Sequence, residues 1–247
     1  MSMVERIKSK LRGRHNSLKL RYIQLPRDYL IESWFRLTGR KWIDFYRYRM
    51  DREDTAANKM PTETYTDIGQ QMFQYLQENG LKSGHKLLDY GCGVMRLRIW
   101  TEGTGVDYYG VDISKERIDT GLEMLKKNGI DMDPAKAVAV DDYELTNLKV
   151  RKFDFIWAAS VYTHIPLDEI EISLKNLRDM LNPGGKMIFT FSPSPSNEVV
   201  RMNQKDWWQP PAVMEACAKR AGYDVEIASE WTVKHGGMAA ILTVAKA

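Results

Sequence analysis

The sequence predicts an α/β protein: a seven-stranded, mostly parallel sheet with helices on both faces, a C-terminal antiparallel hairpin and an N-terminal helical extension. Short apolar runs that end on an acidic residue, such as LLDYG and YYGVD, alternate with helical patterns and predict parallel strands. The last two apolar runs, YDVEIASEW and MAAILTV, are joined by the short VKHGG turn, which predicts a hairpin rather than another crossover helix.

The extension occupies residues 1–60 and differs in charge from the rest of the chain. It holds 15 Lys and Arg against 7 Asp and Glu, a net charge of +8, whereas residues 61–247 hold 21 against 26, a net charge of −5. We therefore predict two domains with this boundary. Two interpretations of the extension are open: its aromatic side chains pack on the main domain, or it is a lid or an arm that binds phosphates, anionic glycans, nucleic acid, a membrane surface or a partner.

Two helices and a linker are predicted within the extension. Asp28, after Pro26, is placed to cap a helix that ends near Leu37, and a second helical run covers about residues 40–50. Residues 51–62 are polar and show no periodicity, so they predict the linker to the main domain.

The main domain is predicted to alternate helices and strands. An apolar stripe over residues 63–79 predicts a helix that ends at Gly80, and Ser114 is placed to cap a helix that ends at Gly129. The other predicted elements are a strand at 86–90, a short helix at 94–100, a strand ending at 112, a strand near 135–140, a strand from 153, a helix at 167–181, the turn NPGG, a strand at 186–191 and a helix at 211–221. The long irregular segment 192–211 predicts a substrate loop at the carboxyl edge of the sheet.

A glycine turn after the first strand indicates the kind of ligand. Gly91 and Gly93 allow a backbone to approach a ligand closely, and Asp112, about 20 residues later, is placed to bind ribose hydroxyls. The sequence therefore predicts a nucleoside site at this edge. A dinucleotide site of the G-x-G-x-x-G type would require glycine where the chain has Arg96, and the predicted hairpin does not fit a dehydrogenase domain.

Composition excludes several classes of protein. Two cysteines, Cys92 and Cys217, cannot form a disulfide framework, and the four histidines lack the close pairing of a zinc site, so we predict no metal. No apolar run reaches the roughly 18 residues of a membrane span, and the N-terminal residues lack the apolar core of a secretory signal. We therefore predict a cytoplasmic protein.

Six segments, in this order, resemble those of class I S-adenosylmethionine-dependent methyltransferases. They are LLDYGCG, YYGVDIS, VDDY, FDFIWAAS, LKNLRDMLNPGGKMIFTF and the terminal hairpin. The stretches GCGVMRLR and SVYTHIP are similar to segments of bacterial methyltransferases that act on glycans and other small molecules. The resemblance covers about residues 62–247 and implies a Rossmann-like sheet, S-adenosyl-L-methionine as cofactor and a methyltransferase activity.

The resemblance also implies roles for individual residues. It places Asp89 and the glycine turn at the methionine part of the cofactor, and Asp112 at the ribose hydroxyls. It places Asp141, with its neighbour Asp142, at the adenine amino group. The full set of predicted cofactor-binding residues is Asp89, Gly91, Cys92, Gly93, Asp112, Ile113, Asp141, Asp142, Tyr143 and Ser160.

The resemblance also places Ser160 and Val161 on the floor of the predicted pocket, near the sulfonium. The chain departs from the family at Met95, where a third glycine is common. The bulkier side chain either shifts the glycine turn or packs beneath it.

Methyl transfer to a hydroxyl gains from a base that accepts a proton near neutral pH. His164 follows the strand predicted to end at the transferred methyl, and it is our candidate catalytic residue. The alternative is a histidine that holds the loop or positions the substrate, and His235 is a weaker candidate base. The predicted substrate-binding residues are Tyr162, Trp207, Trp208 and Arg201.

The function favoured by the sequence is methyl transfer to a hydroxyl of a small molecule or glycan. Nucleic-acid amino-methylation is disfavoured because the fourth strand leads into AASV rather than an (N/D)PPY tetrapeptide. Three alternatives stay open: N-methylation of an amine, methylation of RNA or protein through the basic extension, and a non-catalytic cofactor-binding subunit whose arm docks a partner.

Overall fold

The computed structural model describes residues 25–57, 62–145, 148, 151–202, 205–231 and 237–243. Contacts between residues divide the chain after Phe45 into an N-terminal unit and a C-terminal unit that begins at Tyr46. The sheet, and every residue predicted for the functional site, belong to the C-terminal unit.

The N-terminal unit contains helix α1 (Leu25–Leu37) and the first residues of helix α2 (Trp42–Ala57). Both helices were predicted. The helix α1 is followed by Gly39 in the left-handed region at φ 74°, a usual way to end a helix. The guanidinium of Arg40 then lies 5.1 Å from the centre of the Trp34 ring, a cation–π contact.

The predicted linker is partly wrong, because α2 continues through it as far as Ala57. The segment DREDTAA at 51–57 contains neither Gly nor Pro, and Arg, Glu and Ala favour helices, so nothing in it stops the helix that begins at Trp42. Polar composition without an apolar stripe therefore does not by itself indicate irregular structure. Residues 58–61 lie outside the described residues.

The described part of the C-terminal unit contains a sheet of nine strands. They are β1 (Lys86–Tyr90), β2 (Asp107–Asp112), β3 (Ala137–Ala139), β4 (Phe153–Ala158), β5 (Leu181–Pro193), β6 (Val200–Arg201), β7 (Trp207–Gln209), β8 (Asp224–Trp231) and β9 (Gly237–Thr243). Strands β3, β2, β1, β4 and β5 are parallel neighbours in that order, and β9 and β8 continue the sheet in antiparallel pairing. The predicted mixed α/β sheet and terminal hairpin are confirmed.

The sheet has two strands more than the seven predicted. Both β6 and β7 arise in the segment predicted as an irregular loop, and they pair with each other in antiparallel fashion. Strand β7 also adds to the carboxyl end of β5 in parallel, with Ser192 opposite Trp208. In addition, β5 begins at Leu181, within the stretch predicted to be a helix end and a turn, and its pairing with β4 shifts register between Phe153 and Phe155.

The helices of the C-terminal unit begin and end close to the predicted residues. They are α3 (Thr62–Glu78), α4 (Arg96–Thr101), α5 (Lys115–Lys127), α6 (Leu167–Arg178) and α7 (Pro211–Arg220), with a short 3-10 helix at Pro134–Lys136. The predicted cap of α5 is present, because the hydroxyl of Ser114 accepts a hydrogen bond from the N–H of Arg117 at 3.3 Å.

The central strands are buried on both faces. Leu87 and Leu88 of β1, Ile156 and Trp157 of β4 and Ile188 of β5 have no exposed surface. Parallel sheets covered by helices on both sides have this pattern, which leaves the loops at the carboxyl edge as the place where a ligand can bind. No helix in the described part of the chain is long and apolar enough to cross a membrane.

Candidate functional site

The turn between β1 and α4 has a backbone shape that requires glycine. Gly91 and Gly93 have φ values of 75° and 56°. A Cβ on Gly91 would lie 2.4 Å from Cγ2 of Val161, whereas a Cβ on Gly93 would meet no described atom within 4 Å. The N–H groups of Gly91 and Cys92 both donate to the carbonyl of Val111, at 2.8 and 2.9 Å. The turn is therefore packed on one side and open beside Gly93, where a ligand has room.

Met95 adopts the left-handed conformation that a third glycine would supply. Its φ and ψ are 58° and 42°, and its side chain is fully buried. The side chain lies beneath the turn, where a Cβ on Gly121 of α5 would come within 2.6 Å of Met95 Cε. Of the two alternatives stated above, the side chain packs under the turn, and the left-handed backbone stores strain of the order of 1–3 kcal/mol.

The Asp112 carboxylate ties the turn to the start of α5. Its Oδ2 accepts from the N–H of Gly93 and its Oδ1 from the N–H of Ser114, both at 2.9 Å. Asp112 thus holds the glycine turn against the start of α5.

Asp89 lies at the end of β1 and is buried. Its Oδ2 accepts from the Tyr108 hydroxyl at 2.7 Å. Burial raises the pKa of Asp89 to about 7, against the opposing effects of the Tyr108 hydrogen bond and the positive charge of Arg96. Near neutral pH this carboxyl is therefore close to the midpoint of its titration, and a nearby cation would favour its ionised form.

The two acids after β3 have different surroundings. The side chain of Asp141 is 95% exposed, and its Oδ1 lies 3.5 Å from the Arg47 guanidinium. Asp142 instead closes a turn, because its Oδ1 accepts from the N–H groups of Glu144 and Leu145 at 2.8 and 3.1 Å. Asp141 is thus the member of the pair whose carboxylate faces outward.

The main-chain carbonyls of Ile113 and Tyr143 accept hydrogen bonds from side chains that are distant in sequence. The carbonyl of Ile113 accepts from Arg47 Nε at 3.2 Å, and that of Tyr143 from the Asn176 side-chain amide at 2.7 Å. The Tyr143 ring is buried, which raises the pKa of its hydroxyl above the usual range. Cys92 is likewise buried, with its sulfur against Gly110.

The loop after β4 is held in an unusual conformation. Ser160 has a φ of 57°, and its N–H donates to the Thr190 hydroxyl of β5 at 2.7 Å. The carbonyl of Ser160 accepts from the Thr163 hydroxyl at 2.7 Å. Left-handed backbone at a residue other than glycine is concentrated at functional sites, because surrounding bonds must hold it in place.

His164 lies in this loop and contacts an acid that the sequence analysis missed. Its Nδ1 is 2.8 Å from Oδ1 of Asp206 and 3.1 Å from the carbonyl of Lys205. Its ring stacks on Tyr46, with centroids 5.4 Å apart and planes at 20°, and about a quarter of its side chain is exposed. In the sequence, this contact could have been suspected from Asp206, an acidic residue directly before the Trp207–Trp208 pair.

The predicted acceptor residues do not all reach the site. Tyr162 is fully buried in the core and hydrogen-bonded to the Ser173 hydroxyl at 3.1 Å, so it cannot contact an acceptor directly in this structure. Its side chain turns back between β5 and α6, where the Phe189 ring meets it edge-on at 4.7 Å. Burial raises the pKa of Tyr162 well above its usual value, which keeps the hydroxyl neutral.

The Trp207–Trp208 pair joins the substrate loop to the loop after β4. The N–H of Trp207 donates to the Thr163 carbonyl at 2.9 Å, and the Arg201 guanidinium lies 5.0 Å from the centre of the Trp207 ring. Trp207 is buried and Trp208 is half-buried. The position of His235 lies outside the described residues.

Comparison with known proteins identifies the family. Residues 59–225, more than half of the chain, match the family model described as a methyltransferase domain. Methyltransferase GfsG of Streptomyces halstedii is 27% identical over 125 residues, which are 49% of this chain and 43% of that protein. Ubiquinone biosynthesis O-methyltransferase of Actinobacillus pleuropneumoniae is 28% identical over 120 residues, 47% of this chain and 50% of that protein. The chain thus spans about half the length of the curated relatives it matches.

A solved structure shares the fold. Magnesium protoporphyrin IX methyltransferase of Synechocystis PCC 6803, with bound S-adenosylmethionine, superposes with a TM-score of 0.58 at 16% identity and covers 88% of this chain and 97% of that one. In this chain, the glycine turn, the open space beside Gly93 and the Asp112 carboxylate lie together at the carboxyl edge of the sheet. The chain belongs to the methyltransferase-domain family.

Proposed function

We propose that the chain transfers a methyl group to a hydroxyl of a small molecule or glycan, with His164 as general base. The contact between His164 Nδ1 and Asp206 Oδ1, at 2.8 Å, carries this proposal. A carboxylate that accepts from Nδ1–H holds the imidazole in the tautomer whose Nε2 can take up a proton. A hydroxyl needs such a base, whereas a neutral amine already has its lone pair available.

The relatives support the same reaction type. The protein from Actinobacillus pleuropneumoniae is named as an O-methyltransferase. The half-buried Trp208 beside the His164 loop offers a flat apolar surface suited to a ring or a sugar. Both points favour an acceptor with a hydroxyl on a ring.

The residues at the carboxyl edge of the sheet would hold the cofactor. Asp112 and the Gly93 backbone are placed for the ribose, Asp89 for the ammonium of the methionine part, and Asp141 for the adenine side. When bound, S-adenosylmethionine would supply a methyl group attached to a sulfonium. This methyl group is readily transferred because the remaining thioether is a good leaving group. The protein's own contribution is then alignment, exclusion of water and acceptance of the hydroxyl proton.

Replacing His164 with glutamine should lower kcat by about 100-fold while leaving the affinity for S-adenosylhomocysteine unchanged, because glutamine can hydrogen-bond but cannot act as the base. Turnover is measured with methyl-labelled cofactor against a panel of phenols, catechols and methyl glycosides. Asp206→Asn should also lower kcat, because it no longer selects the tautomer.

His85→Gln is the matched control, since His85 stacks on Phe155 at the amino end of the sheet, away from the site. It should keep full turnover. If H164Q turns over hydroxyl acceptors at the normal rate, the base assignment is wrong. If only amines in a parallel panel are methylated, N-methylation replaces the proposed reaction.

A second prediction concerns Asp89 and pH. Binding of S-adenosylhomocysteine should tighten as pH rises through about 7 and should release a proton, because the ligand's ammonium stabilises the ionised form of a carboxyl whose pKa burial has raised to about 7. Calorimetry in two buffers with different ionisation enthalpies measures the proton release. Asp89→Asn should remove it, and equal release from that variant would contradict the assignment.

Asp89 also affects the stability of the protein without ligand, and this effect changes with pH in the opposite direction to ligand binding. The folded pKa of Asp89 lies above its ordinary value of 3.8, so the folded state binds this proton more tightly. The resulting stabilisation is fully present below that ordinary value and is lost as pH rises to about 7. Ligand binding therefore becomes tighter over the pH range in which this contribution to folding weakens.

A further inference from the structure

Arg47 of α2 holds together two loops of the cofactor site. Its Nε donates to the carbonyl of Ile113, and its Nη2 donates to the carbonyls of Asp141 and Val140, at 3.2, 2.6 and 3.3 Å. Ile113 directly follows β2, and the other two residues directly follow β3. One side chain thus joins the ends of the two strands that face the ribose and adenine sides of the site.

The neighbouring residue on α2 contacts the other side of the site. The Tyr46 ring stacks on His164, in the loop after β4. In the sheet, β2 and β3 lie on one side of β1 and β4 on the other. Successive residues of a helix point about 100° apart, so two adjacent side chains can reach both sides of the glycine turn that follows β1.

The Arg47 contacts suit a guanidinium and no other side chain. Its planar fork carries five N–H donors in fixed directions and can serve several carbonyls at once. Hydrogen bonds from a charged donor are stronger than those between neutral groups, and the Arg47 side chain is only 24% exposed, which limits competition from water. A lysine at this position has donors on a single nitrogen and cannot reproduce the arrangement.

The carbonyls held by Arg47 are directly connected to the ribose acid. Ile113 is the residue after Asp112, and the N–H of Val140 donates to the Asp112 carbonyl at 2.9 Å. Fixing these main-chain groups therefore fixes the spacing between the Asp112 carboxylate and the loop that carries Asp141. A nucleoside that bridges ribose and adenine contacts requires that spacing to be correct before it binds.

We propose that Arg47 is a positioning residue for the adenosyl part of the cofactor, and that Tyr46 positions the ring of His164. These two residues of α2 thereby couple the cofactor side of the site to the acceptor side. The Arg47 half of the proposal depends on the cofactor alone, whereas the Tyr46 half rests on the proposed function of His164.

Calorimetry with S-adenosylhomocysteine tests the first half. We expect Arg47→Ala to weaken binding about 10-fold or more, and Arg47→Lys to restore little of the loss, with both variants folded as judged by circular dichroism. If R47A does not fold, R47K carries the test. Arg47 variants that bind with normal affinity would overturn the proposal.

Arg178→Ala is the matched control. The Arg178 Nε also donates to a distant main-chain carbonyl, that of Gly222 at 2.9 Å, but between α6 and the segment after α7, outside the site. It should lower the melting temperature and leave the affinity for S-adenosylhomocysteine unchanged. An equal loss of affinity in R178A would show that the Arg47 effect reflects general destabilisation, and the proposal would fail.

Turnover and its pH dependence test the second half. Tyr46→Leu should lower kcat about 10-fold and shift the pH profile of kcat, with the affinity for S-adenosylhomocysteine unchanged, because the imidazole loses its stacking partner. Tyr46→Phe keeps the ring and should restore both. A normal profile in Y46L overturns this half. An H164Q variant with full turnover would remove the proposed base while leaving the Arg47 result standing.

Discussion

Replacing Asp112 with alanine should weaken the binding of S-adenosylhomocysteine by about 100- to 1000-fold. The loss has two sources. In the proposed binding mode, the variant lacks the charged acceptor for the ribose hydroxyls, and a hydrogen bond to a charged group contributes roughly 1.5–3 kcal/mol. It also lacks the bonds that Asp112 accepts from the N–H groups of Gly93 and Ser114, so the glycine turn loses its tie to α5.

The same titration with two further variants separates these sources. Asp112→Asn retains one side-chain oxygen and should show an intermediate affinity. Asp107→Ala is the matched control, because Asp107 lies at the opposite end of β2 and pairs with Lys136 at 2.6 Å. It should bind normally. If D112A binds S-adenosylhomocysteine with normal affinity, the proposed contact between this carboxylate and the cofactor is wrong.

Gly91→Ala should be the most damaging single methyl addition in the site, at roughly 2–5 kcal/mol of unfolding free energy. A left-handed backbone costs a residue with a Cβ about 1–2 kcal/mol, and overpacking costs about 1–3 kcal/mol more. Here the φ is 75° and the new Cβ would sit 2.4 Å from Val161 Cγ2. Urea unfolding measures the change.

A second glycine isolates the two costs. Gly129 ends α5 at φ 73°, and a Cβ there would meet no described atom within 4 Å, so Gly129→Ala pays for the backbone only. It should cost clearly less than G91A. In the double variant Gly91→Ala with Val161→Ala, the overpacking cost should disappear and the cost of the left-handed backbone should remain. Equal costs for G91A and G129A would show that the loop carrying Val161 moves away freely.

The strands and their acidic ends could be predicted because their signals are local. LLDYG combines a strand run, a buried acid and a glycine turn within five residues, and the structure pairs it in parallel with YYGVD, Asp89 opposite Gly110. The Ser114 cap likewise depends on residues close in sequence. Such features need no knowledge of distant partners.

The partners of His164 and the cofactor loops could not be predicted in the same way. Arg47 reaches carbonyls 66 to 94 residues away, and Asp206 meets His164 from a segment that showed no periodicity. Composition had marked the region of Arg47 as basic and aromatic but had not indicated which residues it contacts. Charge counts describe a segment, whereas these roles depend on tertiary pairing.

For a related reason, Tyr162 lies in the core and not at the predicted acceptor site. A tyrosine two residues before the candidate base suggests contact with an acceptor, but nearby residues in a loop can point to opposite sides. In SVYTHIP the backbone turns at Ser160, which sends Tyr162 into the core and leaves His164 partly exposed. The left-handed conformation of Ser160 could not be predicted from the sequence.

The pairing of β9 with β5 has a practical consequence for shortened versions of the chain. The family match ends at residue 225, in the second residue of β8, and begins at residue 59, after Arg47. A fragment trimmed to those limits would expose the hydrogen-bonding edge of β5 from Lys186 to Phe191, which is a template for aggregation. It would also lack Arg47, which donates to the main-chain carbonyls that follow β2 and β3. Strand β9 and Arg47 therefore both lie outside the residues that match the family model.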